Sequence, residues 1–212
     1  MKISKYEHAC LILEDNGNKL VIDPGCFSKL PDELHGVNVV IVTEEHVDHY
    51  DLDNLRRILD QSPSAVIYST AKVVEALAAE KIDAKAITGK QTIQDSGFTI
   101  SFYETDHAPI YQNPPCKSLS IKINNSLYFP SDSYQVIDDE VEVLALPTSG
   151  PWFKVAEAVD LANAVKSKKL LATHNGLNSE TGHNVTHHFL QTHLADQTRE
   201  LIFLQPGEST DI

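Results

Sequence analysis

The densest group of chemically capable side chains is His46-Val47-Asp48-His49, two imidazoles and a carboxylate within four residues. Both types bind divalent metal ions, imidazole through a neutral ring nitrogen and carboxylate through oxygen. Packing alone rarely brings three of them together. The β-branched run Val37-Asn38-Val39-Val40-Ile41-Val42-Thr43 leads into this group through Glu44 and Glu45. Three other places share the layout: His107 follows the β-like stretch 98–104, Asp132 follows 126–129, and His174 follows 169–173. Taken singly, each of these three reads as a turn or cap residue. Taken together, strand ends that carry metal-binding types predict one convergent site, because ligands in α/β structures gather beyond the carboxyl ends of strands.

The elements that must position these residues follow from periodicity. Residues 9–13 and 19–23 read as strands joined by the turn Asp15-Asn16-Gly17-Asn18. The run 37–43 is continuous enough to be covered on both faces. A helix is expected over 51–61, with Leu52, Leu55, Ile58 and Leu59 on one face. A strand over 65–69 and a helix over 71–80, with Val73, Val74 and Leu77 inward, come next. Strands are expected at 91–95, 98–104, 118–123 and 126–129, with Asn124-Asn125 as a tight turn, and at 143–146. The pattern closes with a helix over 155–165, a strand over 169–173, a helix over 185–194 and a last strand over 201–204. Hairpins followed by βα units, twice over, predict an α+β fold of two packed sheets with helices outside. A length of 212 residues suits a single domain over 1–212.

Composition narrows the functional classes. Hydrophobic residues make up 42% of the chain, yet no stretch approaches the ~18 apolar residues of a membrane span. The N-terminus, Met1-Lys2-Ile3-Ser4-Lys5-Tyr6-Glu7-His8, has no apolar signal core, so a soluble cytoplasmic protein without a membrane partner is expected. A net charge of −13 argues against a nucleic-acid partner and leaves a small-molecule substrate as the expectation. Cys10, Cys26 and Cys116 are odd in number and scattered, forming neither a disulfide framework nor a Cys-x-x-Cys pattern. Cys10 reads as a small buried hydrophobe, and no thiolate is expected among the metal donors.

The stretch Thr43-Glu44-Glu45-His46-Val47-Asp48-His49 resembles the His-x-His-x-Asp-His signature of the metallo-β-lactamase superfamily, with Glu44 in place of the first His. His107, Asp132 and His174 fall in the order and strand contexts that superfamily uses. Glu7-His8-Ala9-Cys10-Leu11-Ile12-Leu13 resembles the Gly-His-Ala opening of the branch that contains ascorbate-6-phosphate lactonase-like proteins. Leu146-Pro147-Thr148-Ser149-Gly150-Pro151-Trp152, followed by Glu157-Ala158-Val159, resembles that branch as well.

The resemblance implies a four-layer αββα sandwich of two mixed β-sheets with helices on the outer faces. It implies a metal-dependent hydrolase with two divalent metal ions (Zn, or Mn/Fe) and a metal-activated water that attacks a small lactone, ester or phosphoester. Metal 1 would take His46, His107 and Glu44; metal 2 would take Asp48, His49 and His174; Asp132 would bridge them. Asp48 and Asp132 are then the catalytic carboxylates, Asp48 also orienting the nucleophile or taking up its proton. Glu44 keeps a workable ligand set of two imidazoles and a carboxylate, and as a harder donor it should let Mn or Fe(II) compete better with Zn. Two alternatives stand beside this reading: a catalytically impaired, ligand-binding member of the fold, and a phosphodiesterase or nuclease of the same fold.

Other residues carry two readings each. His8 could reach the site or cap the first hairpin. Asp23 in Ile22-Asp23-Pro24-Gly25 could orient a ligand His or close a turn. Ser149-Gly150-Pro151 could hold an anion at a helix start or simply begin that helix. Trp152 could wall the pocket or fill the core. His183, His187, His188 and His193 read as a solvated helix face.

Overall fold

The computed structural model describes residues 1–212. In chain order the elements are β1 (Lys2–Tyr6), β2 (Cys10–Asp15), β3 (Asn18–Ile22), β4 (Val37–Val42), α1 (Leu52–Gln61), β5 (Val66–Thr70), α2 (Ala71–Ala79), β6 (Lys85–Ile87) and β7 (Lys90–Asp95). They continue with β8 (Phe98–Asp106), β9 (Lys117–Ile123), β10 (Leu127–Phe129), β11 (Val141–Pro147), α3 (Val155–Ala164), β12 (Ser167–Thr173), α4 (Glu180–His193), β13 (Glu200–Ile202) and β14 (Ser209–Asp211).

Two seven-stranded sheets result, ordered β14-β1-β2-β3-β4-β5-β6 and β13-β12-β11-β10-β9-β8-β7. Each starts as antiparallel hairpins and becomes parallel, from β3 to β6 in one and from β10 to β13 in the other. The hairpin turn between β2 and β3 has Asn16 at φ 49° and Gly17 at φ 81°, the left-handed pair that matches the twist of two-residue hairpins.

Strand alternation builds the layers. In β4, Val39 and Ile41 face the second sheet with Leu11, Leu13, Phe102 and Ile121, while Val40 and Val42 face α1 and α2 through Leu55, Ile58, Val73 and Leu77. On the outer face of the second sheet, Leu144 and Leu146 meet Ala158, Leu161 and Leu190 of α3 and α4. The architecture is thus the expected αββα sandwich. Three of the four helix starts are fixed by side chains: Asp51 accepts from the Asn54 N–H, Thr70 from the Val73 N–H and Ser179 from the Gly182 N–H, while α3 has no side-chain cap.

Three elements depart from the sequence reading. The strand at 201–204 is not the last: β14 follows and pairs with β1, a strand whose Lys2, Ser4 and Lys5 leave no apolar alternation. The short β6 completes the first sheet's edge. Helix α4 begins at Glu180, ahead of the apolar periodicity at 185, because the Ser179 cap supports a polar first turn that includes Gly182.

Candidate metal centre

The turns that follow β4, β8, β10 and β12 bring every expected donor to one end of the sandwich. Donor atoms fall into two groups, Glu44, His46, His107 and Cys116 in one and Asp48, His49, Asp132 and His174 in the other, each group within 4.8 Å. Asp132 touches both: its Oδ1 lies 3.2 Å from His49 Nε2, and its Oδ2 lies 3.0 Å from His174 Nε2 and 3.4 Å from His107 Nε2. Asp132 thus stands between the two groups.

The outer nitrogens of three imidazoles are committed to acceptors. His49 Nδ1 donates to Asp23 Oδ2 at 2.7 Å, His174 Nδ1 to the Ser149 carbonyl at 2.7 Å, and His107 Nδ1 to the Ala108 carbonyl. Each ring in its neutral form then presents a bare Nε2 lone pair inward, the tautomer a metal requires. Asp23 therefore orients the His49 ring; it also accepts from the Thr43 N–H and hydroxyl, both at 2.7 Å. Trp152 Nε1 donates to Asp132 Oδ2 at 2.8 Å, so the only tryptophan braces this carboxylate. His8 accepts from the Gly176 N–H through Nδ1 at 3.0 Å. Its proton must then sit on Nε2, which donates to Asp48 Oδ2 at 3.2 Å.

Local backbone follows the same demand. Asp23, Ser131 and His174, each just beyond a strand, adopt left-handed φ of 47°, 55° and 50°. That conformation costs on the order of 1–2 kcal/mol for a residue with a Cβ, and the hydrogen bonds around Asp23, from the Ser131 hydroxyl to Thr43 and from the His174 N–H to the His8 carbonyl hold it. At Gly25 a Cβ would lie 1.9 Å from the Asp48 carbonyl oxygen, so only glycine lets the loop after β3 pass under the His46–His49 turn.

The donor set fits divalent cations. Glu44 Oε2, His49 Nε2, His107 Nε2, Asp132 Oδ1 and His174 Nε2 are buried and have no hydrogen-bond partner. A buried polar atom left so costs about 1–3 kcal/mol, and five such atoms converging on one place suit a cation. Protons take up part of that role in the metal-free protein. Burial opposes charge on His49, but Asp132, Asp23 and Glu44 outweigh it and raise its pKa well above the usual value. His174 is likewise raised to about 9, burial being outweighed by Asp132. Asp132 is held well below the usual carboxylate range: its burial is overcome by His49 and His174. Asp48 is lowered too, with His174 and His8 outweighing burial. Glu44 moves the other way, raised chiefly by burial.

Two sequence expectations need correction. Ser149-Gly150-Pro151 does not begin a helix, since α3 starts at Val155 behind Lys154; its part is the Ser149 carbonyl that holds His174. A thiol does reach the donors: Cys116 Sγ lies 4.0 Å from His46 Nε2. Its pKa is pushed up to about 11, by burial first and then by Glu44 and Glu45. The expected solvated face of α4 is divided, with His188 and His193 exposed. His183 and His187 line a cavity of about 910 Å³ with Lys5, Glu7 and Asn175, and none of the metal donors lines it. A smaller cleft of about 320 Å³ is lined by His46, His107 and Cys116 and so opens directly on the site.

The family model for the beta-lactamase superfamily domain matches residues 2–174. The chain belongs to the metallo-β-lactamase superfamily. Protein Rv0786c of Mycobacterium tuberculosis is similar to it at 27% identity over 183 residues, covering 84% of this chain and 85% of its own. Among solved structures, Igni18, a metallo hydrolase of Ignicoccus hospitalis, superposes with a TM-score of 0.74 at 15% identity, covering 99% of this chain and 97% of Igni18. The metallo-beta-lactamase fold protein YhfI of Bacillus subtilis superposes with a TM-score of 0.73 at 16% identity, covering 99% and 98% of the two chains. The chain therefore combines a metallo-hydrolase fold with two groups of candidate metal-binding residues. No helix is long and apolar enough to cross a membrane.

Proposed function

We propose that this protein is a metal-dependent hydrolase of a small, neutral lactone or ester, with phosphoesters less well suited. The observation that carries the reading is the convergence of five unpartnered, buried donor atoms on one end of the sandwich. Substrate preference rests on the cleft over His46 and His107: Ala108, Pro109 and Ile110 line it, and no Lys or Arg does. A phosphoester would find no cationic side chain there.

Divalent ions bound by these groups supply Lewis acidity towards the scissile carbonyl and a water acidic enough to ionise near neutral pH. The chain's own residues do the positioning. His49, His107 and His174 present Nε2 in fixed tautomers, and Asp132 spans the two groups with Trp152 bracing it. Asp48, kept ionised, accepts a hydrogen bond from the attacking water and aims its lone pair, while His8 Nε2–H fixes the carboxylate from behind.

Elemental analysis of the purified protein, followed by a chromogenic panel of lactones, esters and phosphodiesters, tests this. The expected result is two divalent ions per chain and lactone or ester turnover that chelation removes. Chelator-insensitive turnover, or no stoichiometric metal after loading with Zn, Mn and Fe(II), would overturn it. A second reading rests on Glu44, whose Oε1 lies 2.8 Å from His46 Nδ1 and so engages one nitrogen of the first group. One tightly held ion and no turnover on the panel would select that reading, a ligand-binding member of the fold.

A further inference from the structure

We propose that Cys116 is a ligand of the first metal site, its thiolate joining Glu44, His46 and His107. The inference rests on the metal-binding reading above and adds a donor that reading lacks. Cys116 sits at the end of the loop between β8 and β9, after Pro114-Pro115, and its backbone is tied to the site because its carbonyl accepts from the His107 N–H at 3.0 Å. His46 is turned to suit it. Its Nδ1 donates to Glu44 Oε1 at 2.8 Å, which leaves Nε2 as the lone-pair nitrogen, and that nitrogen faces Cys116 Sγ at 4.0 Å. Ligands at about 2.0–2.3 Å from one tetrahedral ion lie about 3.5 Å apart, so a small closing movement of the loop brings both onto one ion.

Two independent observations point to a cation at this place. Glu44 is fully buried with Oε2 unpartnered, and His107, its side chain 3% exposed, has Nε2 unpartnered. His107 Nε2 and Glu44 Oε1 stand 3.6 Å apart, beside Cys116 within the same donor group. A bound dication deprotonates a coordinating thiol outright, so the neighbouring carboxylates do not forbid the ligand.

The consequence for metal choice reverses the sequence expectation. Glu44 alone would harden the site towards Mn or Fe(II), but a thiolate is a soft donor that favours Zn. A set of two imidazoles, one carboxylate and one thiolate also draws on the nitrogen and sulfur donors that zinc sites use.

Cobalt(II) titration of the metal-free full chain reads this directly. The native protein should take up cobalt with d–d absorption and, at one of the equivalents, a near-ultraviolet thiolate-to-cobalt charge-transfer band. Cys116→Ser should lose that band, keep the d–d absorption of the second group, and weaken one equivalent by at least the ~10–100-fold that loss of even an outer partner costs. Cys26→Ser, which alters the exposed cysteine, should keep the band. Cobalt uptake without the band, or a band that survives in Cys116→Ser, overturns the assignment alone; no cobalt uptake overturns it together with the metal-dependent reading. Alkylation mapped by mass spectrometry on the unmutated chain gives a second measurement, free of any folding defect. Zinc should protect Cys116 while Cys26 still reacts, and equal labelling of Cys116 with and without zinc would sink the proposal.

Discussion

The two donor groups differ in how firmly the fold holds them. In the second group every side chain has a partner outside the group: His49 has Asp23, His174 has the Ser149 carbonyl, Asp132 has Trp152 and Asp48 has His8. In the first group only His107 is held in that way, by the Ala108 carbonyl. His46 is 35% exposed and leans on Glu44, itself a member of the group. The departure from the superfamily signature, Glu44, thus falls where the geometry can adapt. A preorganised site binds its ion without first ordering its ligands, so the second group should load first and hold its ion more tightly.

The harshest way to break this comparison is to remove the residue the groups share. Asp132→Ala takes away the carboxylate that contacts His49, His107 and His174. Hydrolysis should be abolished and metal content should fall below two ions per chain, with the sandwich retained, because Asp132 lies outside the inter-sheet core. Turnover and metal stoichiometry, measured beside a far-ultraviolet spectrum, check it; equal turnover in the variant would remove Asp132 from the mechanism.

Acid–base behaviour tests the second group next, with an effect of about 3 kcal/mol. In the metal-free protein His174 stands at about 9 against an unfolded value of about 6.5, burial being overcome by Asp132. A pKa raised by folding gives stability that is complete below the unfolded value and lost as pH rises through the folded one. At 1.36 kcal/mol per unit, His174 contributes about 3 kcal/mol that fades between pH ~6.5 and ~9. The metal-free melting temperature should therefore fall across that window. The metal-loaded protein should not follow, because its imidazoles are neutral ligands from the outset and rising pH removes proton competition. Parallel melting curves for the two forms would contradict the claim that protons stand in for metal in the second group.

Much of this site was legible because its candidate donors are side chains of distinctive type at the ends of recognisable strands. The run before His46 and the hairpin at Asp15–Asn18 are local signals, and the helices show apolar stripes, so layers and convergence followed from periodicity. What escaped is long-range or carried by the backbone. Cys116 is 70 residues from His46 and meets it only because β8 and β9 form a hairpin whose loop returns over the site. The carbonyls of Ser149 and Ala108 orient two histidines without any side-chain signature. The β1–β14 pairing joins the chain's extremes through polar residues, whose pattern is silent about partners. For Asp23 the sequence left two equal readings, orienting a histidine or closing a turn, and the hydrogen bond to His49 across 26 positions decides for the first.

Asp23 also offers the finest test of the comparison. It accepts from His49 Nδ1 and from both the N–H and the hydroxyl of Thr43, all at 2.7 Å, and it is fully buried. Asp23→Asn keeps the size and one carbonyl acceptor but removes the charge that sets the His49 tautomer. Asp23→Ala leaves His49 Nδ1 and the Thr43 N–H without this acceptor, while the Thr43 hydroxyl keeps Ser131 Oγ at 2.7 Å. Loss of an outer partner to a ligand histidine costs about 10–100-fold in metal affinity, so Asn should sit near the lower end of that range and Ala near the upper. The effect should be confined to the second group, because His46 and His107 take their support from Glu44 and Ala108. Competition titration with a chromophoric chelator would then show the two binding steps drawing together in Asp23→Asn and reversing their order in Asp23→Ala. Equal weakening of both steps would mean that Asp23 supports the fold as a whole, and unchanged affinities would mean that the His49 ring is held by packing alone.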